Sequence, residues 1–301
     1  MVKLVRAPNP SAMTLTGTNS YVIGCDGAAL VIDPGPALET HLQALVDEAS
    51  AFGTTIGAIA LTHGHPDHTA GAVQLATMTG ARIYAHPKSK RRHDRDLSLE
   101  GELEVGGTAL SVIDSPGHTF DHVVFYLSRE RALFTGDTIL GEGTTVIAPP
   151  GGAMRPYQHT LQRLADEFPD ARVIYGGHGP VVTDAQAKIA EYIEHRRMRE
   201  GQILEALHHG PMTIPDLVKR IYSAQRQVLW PAMARQILAH LIALEGEGRV
   251  HATPLKRAMT AEETAILNPR IEEIVGPQEA AVLTAELGTE MRLDSLLVYA
   301  L

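Results

Sequence analysis

The densest grouping of metal-ligating side chains is Thr62-His63-Gly64-His65-Pro66-Asp67-His68. It follows the apolar run Ile56-Gly57-Ala58-Ile59-Ala60-Leu61 and precedes a Thr/Ala/Gly-rich stretch fit to start a helix, so it reads as a strand ending in a metal-binding loop. Neighbouring His and Asp side chains gain more from water than from each other, and crowding them into one turn is useful only if an ion holds them together. Zn²⁺ takes both imidazole nitrogen and carboxylate oxygen, and Gly64 is expected to give the backbone freedom to aim His63 and His65 at one point. A surface cluster that chelates metal incidentally would share this local look, so sites elsewhere in the chain must decide.

Three such sites exist. His118, Asp137 and His178 each fall just beyond an apolar strand candidate and beside a glycine, as the His63–His68 loop does. Strand ends in a layered sheet lie along one edge, and the carboxyl ends of strands are where ligands bind in open α/β sheets. The pattern His63-x-His65-x-Asp67-His68 resembles the HxHxDH signature of the metallo-beta-lactamase superfamily, and the resemblance runs from Asn19 to about Pro180 with its motifs in order. It implies an α/β fold, the αββα sandwich of that superfamily. It assigns His63, His65 and His118 to one ion, Asp67, His68 and His178 to a second, and Asp137 as a bridge. Two Zn²⁺ ions are the expected cofactor, with Mn²⁺ or Fe²⁺ as alternatives. Ions about 3.5–4 Å apart would clamp a hydroxide at neutral pH and polarise a scissile bond, which is hydrolase chemistry. The antibiotic-destroying lactamases of the superfamily often carry Cys where Asp137 stands, which argues against a true beta-lactamase. Asp67 is the candidate catalytic base, since one oxygen can bind metal while the other accepts a proton from the nucleophile.

Other residues near these motifs are weaker candidates. Asp33 and Thr62 could orient ligand imidazoles by hydrogen bonds, although Asp33 before Pro34-Gly35 is more simply a turn former. His122 could line the pocket or be a satisfied structural histidine, Asn19 could face substrate, and Tyr157 and His159 could be wall residues.

The elements that must position these groups follow from composition and periodicity. At 301 residues, 44% hydrophobic and 20% charged, the chain is globular and long enough for a main body and a smaller appended domain. The one cysteine, Cys25, excludes an intrachain disulfide and a zinc–thiolate pair. A formal charge of −9 argues against a surface coated for duplex nucleic acid. No run of about 18 uninterrupted apolar residues and no apolar leader core occur, so no membrane partner and a cytoplasmic enzyme are expected. Strands are expected at Asn19–Gly24, Ala28–Asp33, Arg82–Ala85, Thr108–Ile113 and Arg172–Tyr175, a hairpin over His122–Thr135, and a helix with its apolar face at Leu38, Leu42, Leu45, Ala49 and Phe52. From Asp184 the chain turns mainly helical. Thr213-Ile-Pro-Asp216 has the form of a capping box, and a helix with Met233, Ile237, Leu241 and Leu244 precedes a glycine turn with a brief β signal, a winged-helix-like order. The expected division is a catalytic domain over 1–190, a winged-helix-like domain over 191–256, and an extension over 257–301 of unknown structure.

Gly136-Asp-Thr-Ile-Leu-Gly-Glu-Gly-Thr-Thr145, Gly-His178-Gly-Pro-Val and Ile193-Glu-His-Arg-Arg-Met-Arg-Glu200, followed by the winged-helix-like tail, resemble the lactamase-beta-like endoribonuclease group from about Asn9 to Val250. The resemblance implies a phosphodiester substrate of the single-stranded RNA kind. The glyoxalase II thioesterases are similar in the metal site, so a small-molecule thioester or a lactone stays open as substrate, and a homodimer is a further expectation. A winged-helix regulator whose metal domain senses a ligand is the alternative outside enzymes. Lys88, Lys90, Arg91, Arg92 and Arg95 form the densest basic run, read first as solvated surface and second as phosphate contacts.

Overall fold

The computed structural model describes residues 1–268 and 296–301. The chain forms two compact units, one of Met1–Thr145 with Thr160–Ala190 and the other of Val146–His159 with Glu191–Leu301.

The first unit holds two sheets. The six-stranded sheet is ordered β1 (Val2–Arg6), β2 (Asn19–Cys25), β3 (Ala28–Ile32), β4 (Ile56–Ala60), β5 (Arg82–Ala85) and β6 (Arg95–Asp96), antiparallel from β1 to β3 and parallel from β3 onward. The five-stranded sheet is made from β7 (Glu102–Val105), β8 (Thr108–Asp114), β9 (Val123–Leu127), β10 (Ala132–Gly136) and β11 (Val173–Gly176) in the order β11-β10-β9-β8-β7, with only β10 and β11 parallel. Side-chain alternation decides how each strand is covered. Tyr21, Ile23, Leu30 and Ile32 pack with Leu110, Val112, Phe125 and Phe134 of the other sheet in one core. Val22, Ala29 and Val31 point the other way, against Leu42, Leu45 and Ala49 of helix α1 (Glu39–Ala51). Both faces are therefore buried, and these strands read as nearly continuous apolar runs. Fully burying each such aliphatic side chain is worth about 1.5–3 kcal/mol.

Three strands of this unit, β1, β6 and β7, were not expected, and the two-residue β6 falls in a polar run with both side chains exposed. In β7, Leu103 and Val105 are buried while Glu102 and Glu104 are exposed. The strict alternation was present, but four residues with two carboxylates give a weak strand signal. Strand β1 lies at the sheet edge and has no fully buried residue, which leaves little apolar pattern to detect.

The second unit contains the capping box: Thr213 Oγ1 accepts from Asp216 N, and Asp216 Oδ2 accepts from Thr213 N. It opens the helix Ile214–Ile221, whose Leu217 and Val218 pack with Ile237, Leu241 and Leu244 of the helix Trp230–Gly246. A three-stranded sheet completes the unit, ordered β12 (Met212–Thr213), β14 (Leu297–Ala300) and β13 (His251–Pro254). The extension beyond residue 256 thus supplies its middle strand and the helix Ala261–Leu267, itself opened by a capping box of Thr260 and Glu263. The apolar positions Ile271, Ile274 and Leu293 of the extension lie outside the described residues. Segment Val146–His159, counted with the catalytic domain from sequence, groups with the second unit. Within that unit Ile147 N donates to Gln236 Oε1 at 3.0 Å, and Arg155 pairs with Glu200 at 2.7 Å. Among the described residues no helix is long and apolar enough to cross a membrane.

Candidate metal centre

The loops that follow β4, β8, β10 and β11 deliver the titratable groups to one place within the first unit. After β4 the chain passes Thr62, His63 and Gly64 and enters the single turn Pro66–Thr69, with Pro66 in the first turn where its missing N–H costs no helical bond. Asp67 and His68 are thereby set side by side, both buried. Gly64 does not use the left-handed backbone open to glycine. Its role is spatial and mild, since a Cβ there would come within 2.8 Å of Asp121 Oδ2, a carboxylate able to rotate away.

Two sets of ligand atoms converge. His63, His65, His118 and Asp137 offer atoms within 4.8 Å of one another, and so do Asp67, His68 and His178. Asp137 stands at both: Oδ1 lies 3.4 Å from His68 Nε2, and Oδ2 lies 3.5 Å from His178 Nε2 and 3.8 Å from His118 Nε2. Asp33, His63 and His68 also approach as a trio. That trio is no separate site, because Asp33 faces His68 Nδ1, the nitrogen turned away from Asp67 and His178.

The outer nitrogens of the imidazoles are held from behind, as is usual for metal-binding histidines. His68 Nδ1 is 2.9 Å from Asp33 Oδ2 and His178 Nδ1 is 3.4 Å from Gly17 O. A carboxylate and a carbonyl can only accept, so both Nδ1 atoms carry the proton and both Nε2 atoms present lone pairs inward. Thr62 Oγ1 donates to Asp33 Oδ2 at 2.6 Å and so accepts from His63 Nδ1 at 3.0 Å, with the same result. Thr145 Oγ1 backs His118 Nδ1 at 3.2 Å.

Inside the cluster, nitrogens face each other at short range: His63 Nε2 to His65 Nδ1 at 3.0 Å, His118 Nε2 to His65 Nδ1 at 3.1 Å, and His68 Nε2 to His178 Nε2 at 3.3 Å. Ring nitrogens this close repel unless a proton or a metal ion lies among them. Burial and then the neighbouring imidazoles hold His63 well below the usual histidine range, and burial and His118 bring His65 to about 3. Burial also opposes charge on His68 and His178, but the surrounding carboxylates outweigh it, raising His68 well above normal and His178 to about 10. Asp67, despite a burial effect in the other direction, is held at about 2 by His68 and His178, and Asp137 is held well below the ordinary range by the same two rings. Two ionised carboxylates are therefore buried beside His68 and His178, whose raised values express the demand of those carboxylates for positive charge, and Asp67 Oδ1 and Asp137 Oδ1 have no hydrogen-bond partner. Orphaned buried oxygens of this kind call for a cation or a hydrogen-bond donor such as water. The donor set fits divalent metal with nitrogen and oxygen ligands.

The remaining sequence candidates take other places. Asp33 is both turn former and hydrogen-bond partner: it adopts φ +51° at the end of β3 while accepting from Thr62 N at 2.8 Å. His122 is buried, stacks on the His63 ring at 4.9 Å, accepts from Asp137 N at 3.2 Å and meets Ser115 Oγ at 3.0 Å, so it packs behind the ligands. Asn19 is buried, with its amide donating to Gly176 O and Gly179 O and its carbonyl accepting from Arg6, so it braces the loop that carries His178. Tyr157 belongs to the second unit, buried under the Arg196 guanidinium at 5.0 Å.

Three contributors went unassigned in the sequence. Thr18 Oγ1 donates to Asp67 Oδ2 at 3.2 Å, Thr145 backs His118, and Gly177 makes room, since a Cβ there would fall 2.3 Å from Asp137 Oδ1 and 2.6 Å from His68 Cε1. The only sequence signal was adjacency to a recognised motif.

Comparison with known proteins identifies the family. Residues 13–178 match the model of the metallo-beta-lactamase superfamily, and residues 213–256 match the beta-lactamase associated winged helix domain. The chain is 36% identical over 227 residues to a beta-lactamase-like protein 2 homolog of Caenorhabditis elegans, covering 71% of this chain and 74% of that one. It is 32% identical over 253 residues to an atrochrysone carboxyl ACP thioesterase of Aspergillus chevalieri, covering 78% and 79%. A metallo-beta-lactamase family protein of Thermus thermophilus shares the fold, with a TM-score of 0.69 at 24% identity over 84% of this chain and 95% of that one. The chain belongs to the metallo-beta-lactamase superfamily of metal-dependent hydrolases and carries that superfamily's associated winged-helix domain.

Proposed function

We propose that the chain is a cytoplasmic hydrolase loaded with two zinc ions that cleaves phosphodiester bonds in single-stranded RNA. The observation that carries the dinuclear reading is Asp137, whose two oxygens turn toward His68 on one side and toward His118 and His178 on the other. His63, His65 and His118 would hold one ion, Asp67, His68 and His178 the second, and Asp137 both. When bound, such ions supply a nucleophile at neutral pH and Lewis-acid polarisation of the scissile bond.

The chain's own residues do the rest. Asp67 Oδ2 is engaged by Thr18 and lies beside His68 and His178, which leaves Oδ1 to accept the proton of the attacking water as the new P–O bond forms. The same oxygen returns that proton to the departing oxygen as the old P–O bond breaks. Asp33, Thr62, Thr145 and the Gly17 carbonyl hold the rings so that little reorganisation accompanies the reaction.

The seven candidate ligands suit a thioester equally well, and the similarity to an ACP thioesterase favours that second reading. Metal analysis of the purified chain, with turnover on single-stranded RNA, bis(p-nitrophenyl) phosphate, S-lactoylglutathione and an acyl lactone at matched metal loading, separates them. RNA and diester hydrolysis with close to two ions per chain is the expected result. Turnover of the thioester alone would replace the proposed substrate, and nucleic-acid binding without any hydrolysis would make the chain a regulator.

A further inference from the structure

We propose that Arg91 and Phe120 form a subsite beside the metal centre that grips a phosphate and a base of single-stranded RNA flanking the cleaved bond. The inference rests on the phosphodiester reading above. Its geometry centres on Gly64, which lies between His63 and His65. Arg91 Nε donates to the Gly64 carbonyl at 2.5 Å, so a residue of the basic run is tied to the metal-binding loop itself. Using Nε in this way leaves both terminal nitrogens of the guanidinium to meet a phosphate as a fork. Lys88, Lys90, Arg92 and Arg95 are exposed in the same segment, and among the described residues none of these five cations forms an ion pair. The segment keeps an excess of positive charge, five cations against Asp94 and Asp96, on a chain whose formal charge is −9.

The other side of Gly64 is occupied by the loop that carries His118. Asp121 Oδ2 lies within 2.8 Å of the point where a Gly64 Cβ would stand, so this loop and Arg91 meet at the same residue. Phe120, next to Asp121 and two residues after His118, is 44% exposed, whereas Phe125 and Phe134 are fully buried. An exposed aromatic ring and an exposed guanidinium at one rim supply the two contacts that single strands use: stacking on the base, and salt-sensitive attraction to the backbone. Asp121 sets a limit, because its carboxylate would oppose a phosphate placed on its own side, which directs the phosphate toward Arg91.

The test uses the full-length, metal-loaded chain with a fluorescent single-stranded RNA over a range of salt concentrations. Arg91→Gln should raise KM for RNA about tenfold, lower kcat much less, and reduce the slope of log KM against log salt by about 0.7, the loss of one phosphate contact on a single strand. Arg91→Lys should recover the slope but only part of KM, since it keeps the charge and loses the fork. Phe120→Ala should raise KM by about tenfold with the slope intact, and Phe120→Tyr should restore it. Arg172→Gln, an exposed cation before β11, should leave all three quantities alone. If Arg91 merely props the Gly64 loop, Arg91→Gln loses metal and kcat while the salt slope stays at the wild-type value, and the inference is overturned. Wild-type protein that cleaves RNA with no change in slope or KM in either variant overturns it alone. Fully metalled wild-type protein that cleaves a carrier-bound thioester and no RNA overturns the phosphodiester reading and the subsite together.

Discussion

Asp33 and His68 are 2.9 Å apart, carboxylate oxygen to ring Nδ1, although 35 residues separate them in the chain. The contact fixes which nitrogen of His68 turns inward and, through Thr62, also holds the ring of His63. Removing it should therefore loosen metal binding without removing a ligand. Asp33→Asn is the cleanest substitution, because asparagine tolerates the left-handed backbone at this position and isolates the lost charge and acceptor. Metal affinity, read by competition with a chromophoric chelator, should fall about 10–100-fold. Unaltered affinity would reduce Asp33 to a turn residue.

Asp137→Ala should take the chain from close to two ions to close to one and cost most of its activity, because its two oxygens face both ligand sets. Elemental analysis of the purified variant beside wild type checks it. Full activity with a single bound ion would sink the dinuclear reading.

Asp67→Asn should lower kcat by about 10²–10⁴ with a much smaller change in KM, since the amide keeps the shape and cannot accept a proton at Oδ1. If KM alone moves, Asp67 binds substrate and is not the base.

Acid should destabilise the second unit through His240. This ring is 1% exposed with neither nitrogen hydrogen-bonded, and burial, then Arg196 and Arg155 against a smaller opposing effect of Glu200, lower it to about 3. Between its ordinary value of 6.5 and about 3, the unfolded chain binds a proton that the folded chain refuses. The contribution is therefore intact above pH 6.5 and is lost as pH falls below it, by up to about 1.4 kcal/mol per pH unit. Urea melts at pH 7, 6 and 5 should show a shallower loss in His240→Leu, and parallel profiles would show that another group governs acid sensitivity.

Much of this was legible in the chain. The apolar run before His63 and the glycines beside His118, Asp137 and His178 mark strand ends without any structure, and Thr213 with Asp216 announces a helix start by local chemistry alone. What escaped depends on approach through space. Thr18 and Thr145 are ordinary threonines until folding brings them to Asp67 and His118. Gly64 was credited with backbone freedom, whereas the tighter steric demand falls on Gly177, beneath the Asp137 carboxylate. Asn19 is drawn inward to the His178 loop by carbonyl groups that no spacing rule could foresee. The paired Thr260 and Glu263 did carry a capping signature, and only the unfamiliar surroundings of the extension hid it.

The order of the small sheet also sets an order in time. Among the described residues, strands β12 and β13 do not pair with each other and are joined through β14, which the ribosome makes last of the three. During vectorial synthesis both early strands must wait with open edges until Leu297–Ala300 emerges, and such edges invite the wrong partner. The small sheet thus cannot close before its last-made strand arrives, and until then the outer strands are the part of this unit most open to a wrong partner.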